Sequence, residues 1–459
     1  MSDRRVEQWF AVATVVLLVA SVGAVVATPT ENPGRERELA FDSPVPTDYD
    51  FSPPPTDGTV SVDGQRYETL GVALDAADPG DTVRVTGTVD GPVTVETPGV
   101  TIAGTSPSES VVAGDEAGNV LTVNASNVTV RDVWVRDAGY RTAANDAAVW
   151  VNGANATIDS ARITNTTFGV WVDGVPSAAV RDSTIVGRES IQRLSDRGNG
   201  IQLWKAQSAV VANNTITDVR DGVYFSWSSN VVARNNTMWD LRYGVHYMYS
   251  DHNLLANNTA FDNDVGYALM VSEDLVIRDN VAVNNTGTSG HGILVKSVDD
   301  TRIVGNDLVG NERGVYVYNS LNNTIARNLV LGNDIGVQLS AGSVRERGYS
   351  NSFIRNGDAM KAVIGEQVAW NGSERGNFWS DARPVDVDRD GVSEIRYQAT
   401  GVLDEVTRNH PATEVFASSP AFDAVRLASR SVPLLENPGV VDYYPVVTPP
   451  HDDWRRYYE

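Results

Sequence analysis

His246 and Met248 stand two residues apart in YGVHYMYS, residues 243–250, in a chain with only five histidines and five methionines. At that spacing two side chains of a β-strand point the same way. An imidazole beside a thioether is a soft donor pair that suits Cu(I) and suits Mg²⁺ or Ca²⁺ poorly. The chain has no cysteine, which excludes thiolate metal sites, iron–sulfur clusters and disulfides. What this pair can do depends on which way its strand faces and on what lies beside it.

A repeat sets that. Glycine opens a five-residue strand at Gly200, Gly222, Gly244, Gly266, Gly292, Gly314 and Gly336, in steps of 22, 22, 22, 26, 22 and 22. Asn214, Asn236, Asn258, Asn280, Asn306 and Asn328 keep the same step, as do Asn263, Asn285, Asn311 and Asn333. Short β-rich units that cannot bury an apolar face alone must stack. The pattern predicts an all-β fold, a parallel β-helix over residues 57–375, with asparagine ladders at its corners. A short amphipathic helix from Leu70 to Ala77 supplies a lid for the open end of the solenoid.

Within each strand the second and fourth residues are apolar, as in Val245/Tyr247 and Tyr267/Leu269, and must face the lumen. The third and fifth then face outward. His246 and Met248 are therefore expected on the outer face, with Met270 in register with Met248 one coil on. His252 and His291 fall on turns of neighbouring coils. Trp204, Tyr224, Tyr316 and Tyr318 share the same outer sheet. Such a stripe supports three readings: a Cu(I) site, a protein-docking face, or packing beneath a loop. Three insertions, before Ala147, Gly200 and Gly292, all fall at one corner and line one edge of this sheet.

Beyond the repeat lies NFWSDARPVDVDRDGVSEIRY, where Asp386, Asp388 and Asp390 alternate before Gly391, with Glu394 after. Oxygen donors at positions 1, 3 and 5 followed by glycine begin a Ca²⁺ loop, but Tyr397 stands where an EF-hand has its bidentate glutamate. The alternative is a plain acidic turn. Residues 376–459 are expected to form an irregular cap.

The chain's 459 residues carry a formal net charge of −23 and only three lysines, Lys205, Lys296 and Lys361. That surface repels phosphate backbones, which sets nucleic acid aside, and it suits a very salty solvent. Arg4 and Arg5 precede an apolar run from Trp9 to Ala27, so residues 1–28 read as a signal peptide or an N-terminal membrane anchor. Either exports the remainder. Residues 29–56, rich in proline, threonine and acids, are expected to be a disordered linker. The outward strand positions offer only lone charges, Asp173 and Lys296, so no catalytic carboxylate cluster is expected. A binding protein is favoured over the alternative, a carbohydrate-active or carbohydrate-binding β-helix.

The segment from Arg220 to Ser272, above all Arg242 to Met248 and Ala268 to Met270, resembles the NosD family, exported accessory proteins of nitrous oxide reductase maturation. DVDRDG and the closing DYYP, Asp442 to Pro445, are similar to that family too. The resemblance implies a right-handed parallel β-helix on the outer side of the cytoplasmic membrane. It implies an ABC-type ATPase and a membrane permease as partners, a copper chaperone as the source of Cu(I), and a role in assembling the copper centres of nitrous oxide reductase. His246, Met248 and Met270 fall where the family's motif lies.

Overall fold

A computed structural model describes residues 39–49, 51–52, 57–188, 190–362, 367–400, 419 and 439–458. Each coil adds one short strand to each of three walls, as in Val232–Arg234, Thr237–Trp239 and Tyr243–Met248. Consecutive coils pair in parallel, for example Ala233 with Leu255, Met238 with Ala260 and Tyr247 with Leu269. The third wall is a 12-stranded sheet. This is the predicted all-β parallel β-helix.

The lumen is filled by the residues that alternation assigned to it. Val223, Phe225, Val245, Tyr247, Tyr267 and Leu269 are all buried. Phe225 and Tyr247 stack with ring centroids 4.2 Å apart. At the corner between the first and second walls the asparagines form a ladder. Each Nδ2 donates to the next Oδ1 at 2.8–3.0 Å, from Asn214 through Asn236, Asn258, Asn280, Asn306, Asn328 and Asn351 to Asn377. These amides are buried; the left-handed turn conformation falls to the residue before them, Asn213, Asn235 or Asn257.

The helix α1 (Leu70–Ala76) buries Leu70, Ala73 and Leu74 over one end of the lumen, and the Thr69 side chain caps its start. At the other end the last coil and the cap interleave around residue 376. Strand Gln367–Ala369 already pairs with Gly439–Asp442 in a separate sheet, while Phe378–Trp379 returns to pair with Ser352–Phe353 of the last coil. The carboxylate of Asp442 accepts from the Asn377 backbone N–H at 2.7 Å and from Trp379 Nε1 at 2.9 Å, so it terminates the asparagine ladder.

The linker expectation needs correction over residues 39–49. They are packed along the outer face of the second wall. There Trp239, Phe261, Val283, Val309, Leu331 and Ile354 follow one another on successive coils, too long an apolar stripe to leave wet. Leu39, Phe41, Val45 and Tyr49 cover it, together with Trp454, Tyr457 and Tyr458 from the other terminus. The two segments meet where Ala40 N–H donates to the Tyr457 carbonyl at 2.9 Å. Residues 1–38, including the apolar N-terminal run, lie outside the described residues. Among the described residues no helix is long and apolar enough to cross a membrane.

Candidate functional site

The third wall owes its outer face to its glycines. A Cβ on Gly244 would stand 2.6 Å from the Gly266 carbonyl oxygen and 3.0 Å from the Ala260 Cβ. Register pairs run on both sides of that glycine, Tyr243 with Val265 and Val245 with Tyr267, but skip it. The register is the same on both sides, so no residue is inserted, and the residue before the glycine lies on the same face as the third and fifth residues. Strict alternation would have sent it inward. Asp221, Tyr243, Val265, His291 and Arg313 therefore join the outer face.

Asp221 is the consequence that sequence reasoning missed. It is fully buried, and its Oδ1 accepts from Arg242 Nε at 2.9 Å while its Oδ2 accepts from Arg242 Nη2 at 2.6 Å. His246 Nδ1, one coil on, lies 3.2 Å from the same Oδ2. Burial alone would raise the Asp221 carboxyl, but hydrogen bonds from His246 and Arg242, with the Arg242 charge, outweigh it and hold the group below the ordinary carboxylate range. The signal was an aspartate directly before a strand-opening glycine with an arginine 21 residues later.

His246 does face away from the lumen, but solvent does not reach it: it is only 6% exposed. The Tyr224 ring lies 4.4 Å from it and the Tyr243 ring meets it edge-on at 5.0 Å. Its Nε2 is buried and finds no hydrogen-bond partner among the described residues. The solvent-facing expectation failed because bulky neighbours on one pleated face cover one another. Met248 and Met270 are register partners and half-buried. Met270 packs on Val265, Ala268 and Leu294, as does Tyr243, which also touches His246.

His291 is not on a turn, as its position after the insertion suggested. It opens the strand His291–Asp299, packs 5.0 Å from Tyr316, and is pushed down to about 4 by burial and by the Arg313 charge. His252 is on a turn, left-handed and exposed, with Nε2 3.3 Å from Asp274.

Trp204, Tyr224, Tyr316 and Tyr318 all lie on this outer wall; Tyr318 is exposed and the other three are half-buried. Trp204 joins a cluster with Phe168, Trp150 and Trp171, whose indoles stack 5.0 Å apart at 3°. The three insertions line the corner between the second and third walls, ahead of the strands Ala147–Val151, Ile201–Trp204 and His291–Asp299. At the opposite corner Trp227, Tyr249 and Val271 follow Ser226, Met248 and Met270. They are 55%, 44% and 38% exposed. All three are left-handed, a strained choice for aromatic and β-branched residues. Large apolar residues at a turn position were the available signal.

In the cap, oxygens of Asp386, Asp388 and Glu394 lie within 4.8 Å of one another. Asp390 is turned elsewhere, and its Oδ1 accepts from the Val392 N–H at 2.7 Å. Tyr397 is no ligand: its hydroxyl donates to the Asp381 carboxylate at 2.7 Å.

Residues 177–384 match the sequence model of the family described as periplasmic copper-binding protein (NosD). A "Probable ABC transporter binding protein NosD" of Pseudomonas aeruginosa is 38% identical over 353 residues, 73% of this chain and 82% of that protein. The chain belongs to the NosD family. A second NosD of the same description, from Stutzerimonas stutzeri, is 36% identical over 74% of this chain and 81% of its own length. The NosD match encloses Asp221, His246, Met248 and Met270 and stops before Asp386. Among solved structures, the A-module of the Azotobacter vinelandii mannuronan C-5 epimerase AlgE6 aligns with a TM-score of 0.53 at 17% identity. It covers 64% of this chain and 90% of that module, and shares the β-helix fold.

Proposed function

We propose that this NosD-family chain is a non-enzymatic, exported accessory protein that holds Cu(I) transiently as cargo. His246 Nε2 and the thioethers of Met248 and Met270 are its ligands. The observation that carries this reading is a histidine whose Nδ1 is engaged by a buried carboxylate while its Nε2 is free, on a wall that also pairs two methionines. The destination is the copper centres of nitrous oxide reductase. Cu(I) arrives from a copper chaperone, and an ABC-type ATPase with its membrane permease works beside the chain; the relatives' description as ABC transporter binding proteins supports this. The outer wall with Trp204, Tyr224, Tyr316 and Tyr318 is the docking face. Asp386, Asp388 and Glu394 hold a structural Ca²⁺.

Asp221 does not act as a sugar-cleaving carboxylate, because Arg242 and His246 occupy it and no surface of it is exposed. The stacked Trp150 and Trp171 favour one second reading, a carbohydrate platform. Titration of the purified protein with Cu(I) and with acidic oligosaccharides separates the two. Stoichiometric Cu(I) binding, lost in the His246→Ala/Met248→Ala double variant, is expected. Oligosaccharide binding without Cu(I) binding sinks the copper reading.

A further inference from the structure

An imidazole offers one lone pair at a time, and the bond made by one nitrogen decides whether the other holds it. At His246 the surroundings make that choice. We infer that Asp221, held by Arg242, is a positioning residue that locks His246 in the tautomer protonated on Nδ1, keeping the Nε2 lone pair for Cu(I). The role rests on the reading of His246 as a Cu(I) ligand.

A carboxylate only accepts, so the Asp221 oxygen 3.2 Å away calls for a proton on Nδ1. Arg242 Nη2, 3.5 Å from Nδ1, only donates and would call for a lone pair there. Distance decides between them. The Nη2 hydrogen that closes the fork points to Asp221 at 2.6 Å, and Nδ1 is nearer to the carboxylate, at 3.2 Å, than to the guanidinium, at 3.5 Å. The doubly protonated ring fits poorly as well. It would leave an N–H on Nε2, where burial provides no acceptor, and Arg242 already supplies the positive charge beside Asp221. Tyr224 on the ring face and Tyr243 at its edge oppose a flip that would exchange the two sides of the ring.

The buried charge cluster thus has a use beyond stability. Arg242 fixes both oxygens of Asp221, Asp221 fixes the proton of His246, and the bare nitrogen is the one left unengaged. Carboxylates that orient a metal-binding histidine act in this way, and their loss typically lowers metal affinity by roughly 10–100-fold.

The test is nitrogen NMR of the metal-free protein labelled only at histidine, with five histidines to resolve and His246 identified by the signal lost in His246→Gln. At neutral pH the expected wild-type spectrum shows His246 protonated on Nδ1 and bare on Nε2. In Asp221→Asn the amide turns its oxygen to Arg242 and its NH₂ to Nδ1. The expected result is reversal of the tautomer and a Cu(I) dissociation constant raised roughly 10–100-fold, with the β-sheet circular dichroism kept. A wild-type His246 protonated on Nε2, alone or together with Nδ1, overturns the inference without any variant having to fold. So does an Asp221→Asn protein that is less stable yet keeps both tautomer and affinity. Wild-type protein with the expected tautomer and no Cu(I) binding would instead remove the copper reading and with it the use of the tautomer.

Discussion

Met248 and Met270 are Cα partners on adjacent strands of the third wall, so their side chains leave the same face about 4.8 Å apart along the solenoid axis. Leucine keeps the volume of methionine but offers no sulfur. Met248→Leu and Met270→Leu are each expected to weaken Cu(I) binding by roughly tenfold or more, without a change in the melting transition. Competition titration against a Cu(I) chelator measures this. Unchanged affinity in both variants would remove the thioethers from the site.

The closing motif carries structure. Asp442 accepts from the Asn377 and Tyr444 backbone N–H groups and from the Trp379 indole, with no surface of its own exposed. Asp442→Ala would leave those donors unpaired. It is expected to cost about 3 kcal/mol or more, and amide hydrogen exchange should quicken first at the last coil and cap.

Glu346 predicts a pH dependence. Burial pushes its carboxyl up to about 8, against the hydrogen bonds from Asn323 that favour the charged form. The unfolded chain releases this proton near the ordinary 4.5. The folded state therefore binds more protons across that interval, and stability falls as pH rises from 4.5 towards 8. The slope from this one group is at most about 1.4 kcal/mol per pH unit. Urea titrations at several pH values should show Glu346→Gln flattening the profile.

The packed N-terminal strap should be needed to keep the second wall dry. Phe41 is half-buried with its ring 5.3 Å from Phe261. Phe41→Ala is expected to cost about 1–2 kcal/mol, less than the roughly 3–5 of a fully buried ring. It should also speed proteolysis within residues 39–49 and increase binding of a hydrophobic dye. A variant with unaltered cleavage would show that the strap is not held by this contact.

Much of the architecture was legible because a solenoid repeats its instructions. Gly222, Gly244 and Gly266 recur at one step, and Asn236, Asn258 and Asn280 at the same step, so period, strand type, lumen residues and corner ladders all follow from counting. The pairing of Met248 with Met270 and their outward direction followed from the same count. The Ca²⁺-like loop was legible only in part: Asp386, Asp388 and Glu394 converge, while Asp390 bonds its own turn.

What repetition could not carry was contact between unlike parts. Asp221 reaches His246 because the residue before the strand-opening glycine joins the outer face, a departure that an in/out pattern does not encode. His246 is closed off by Tyr224 and Tyr243, since the bulk of neighbouring coils sums only when the wall is assembled. Residues 39–49 look unstructured by composition, yet they find an apolar stripe built from coils that begin 190 residues after Tyr49, at Trp239. The sequence by itself determined the solenoid, its register and the residues that fill the lumen, because those rest on local periodicity. Only the tertiary structure decided which outward side chains are sheltered, which nitrogen of His246 is left free and what residues 39–49 cover, because burial and hydrogen-bond partners belong to the packed whole.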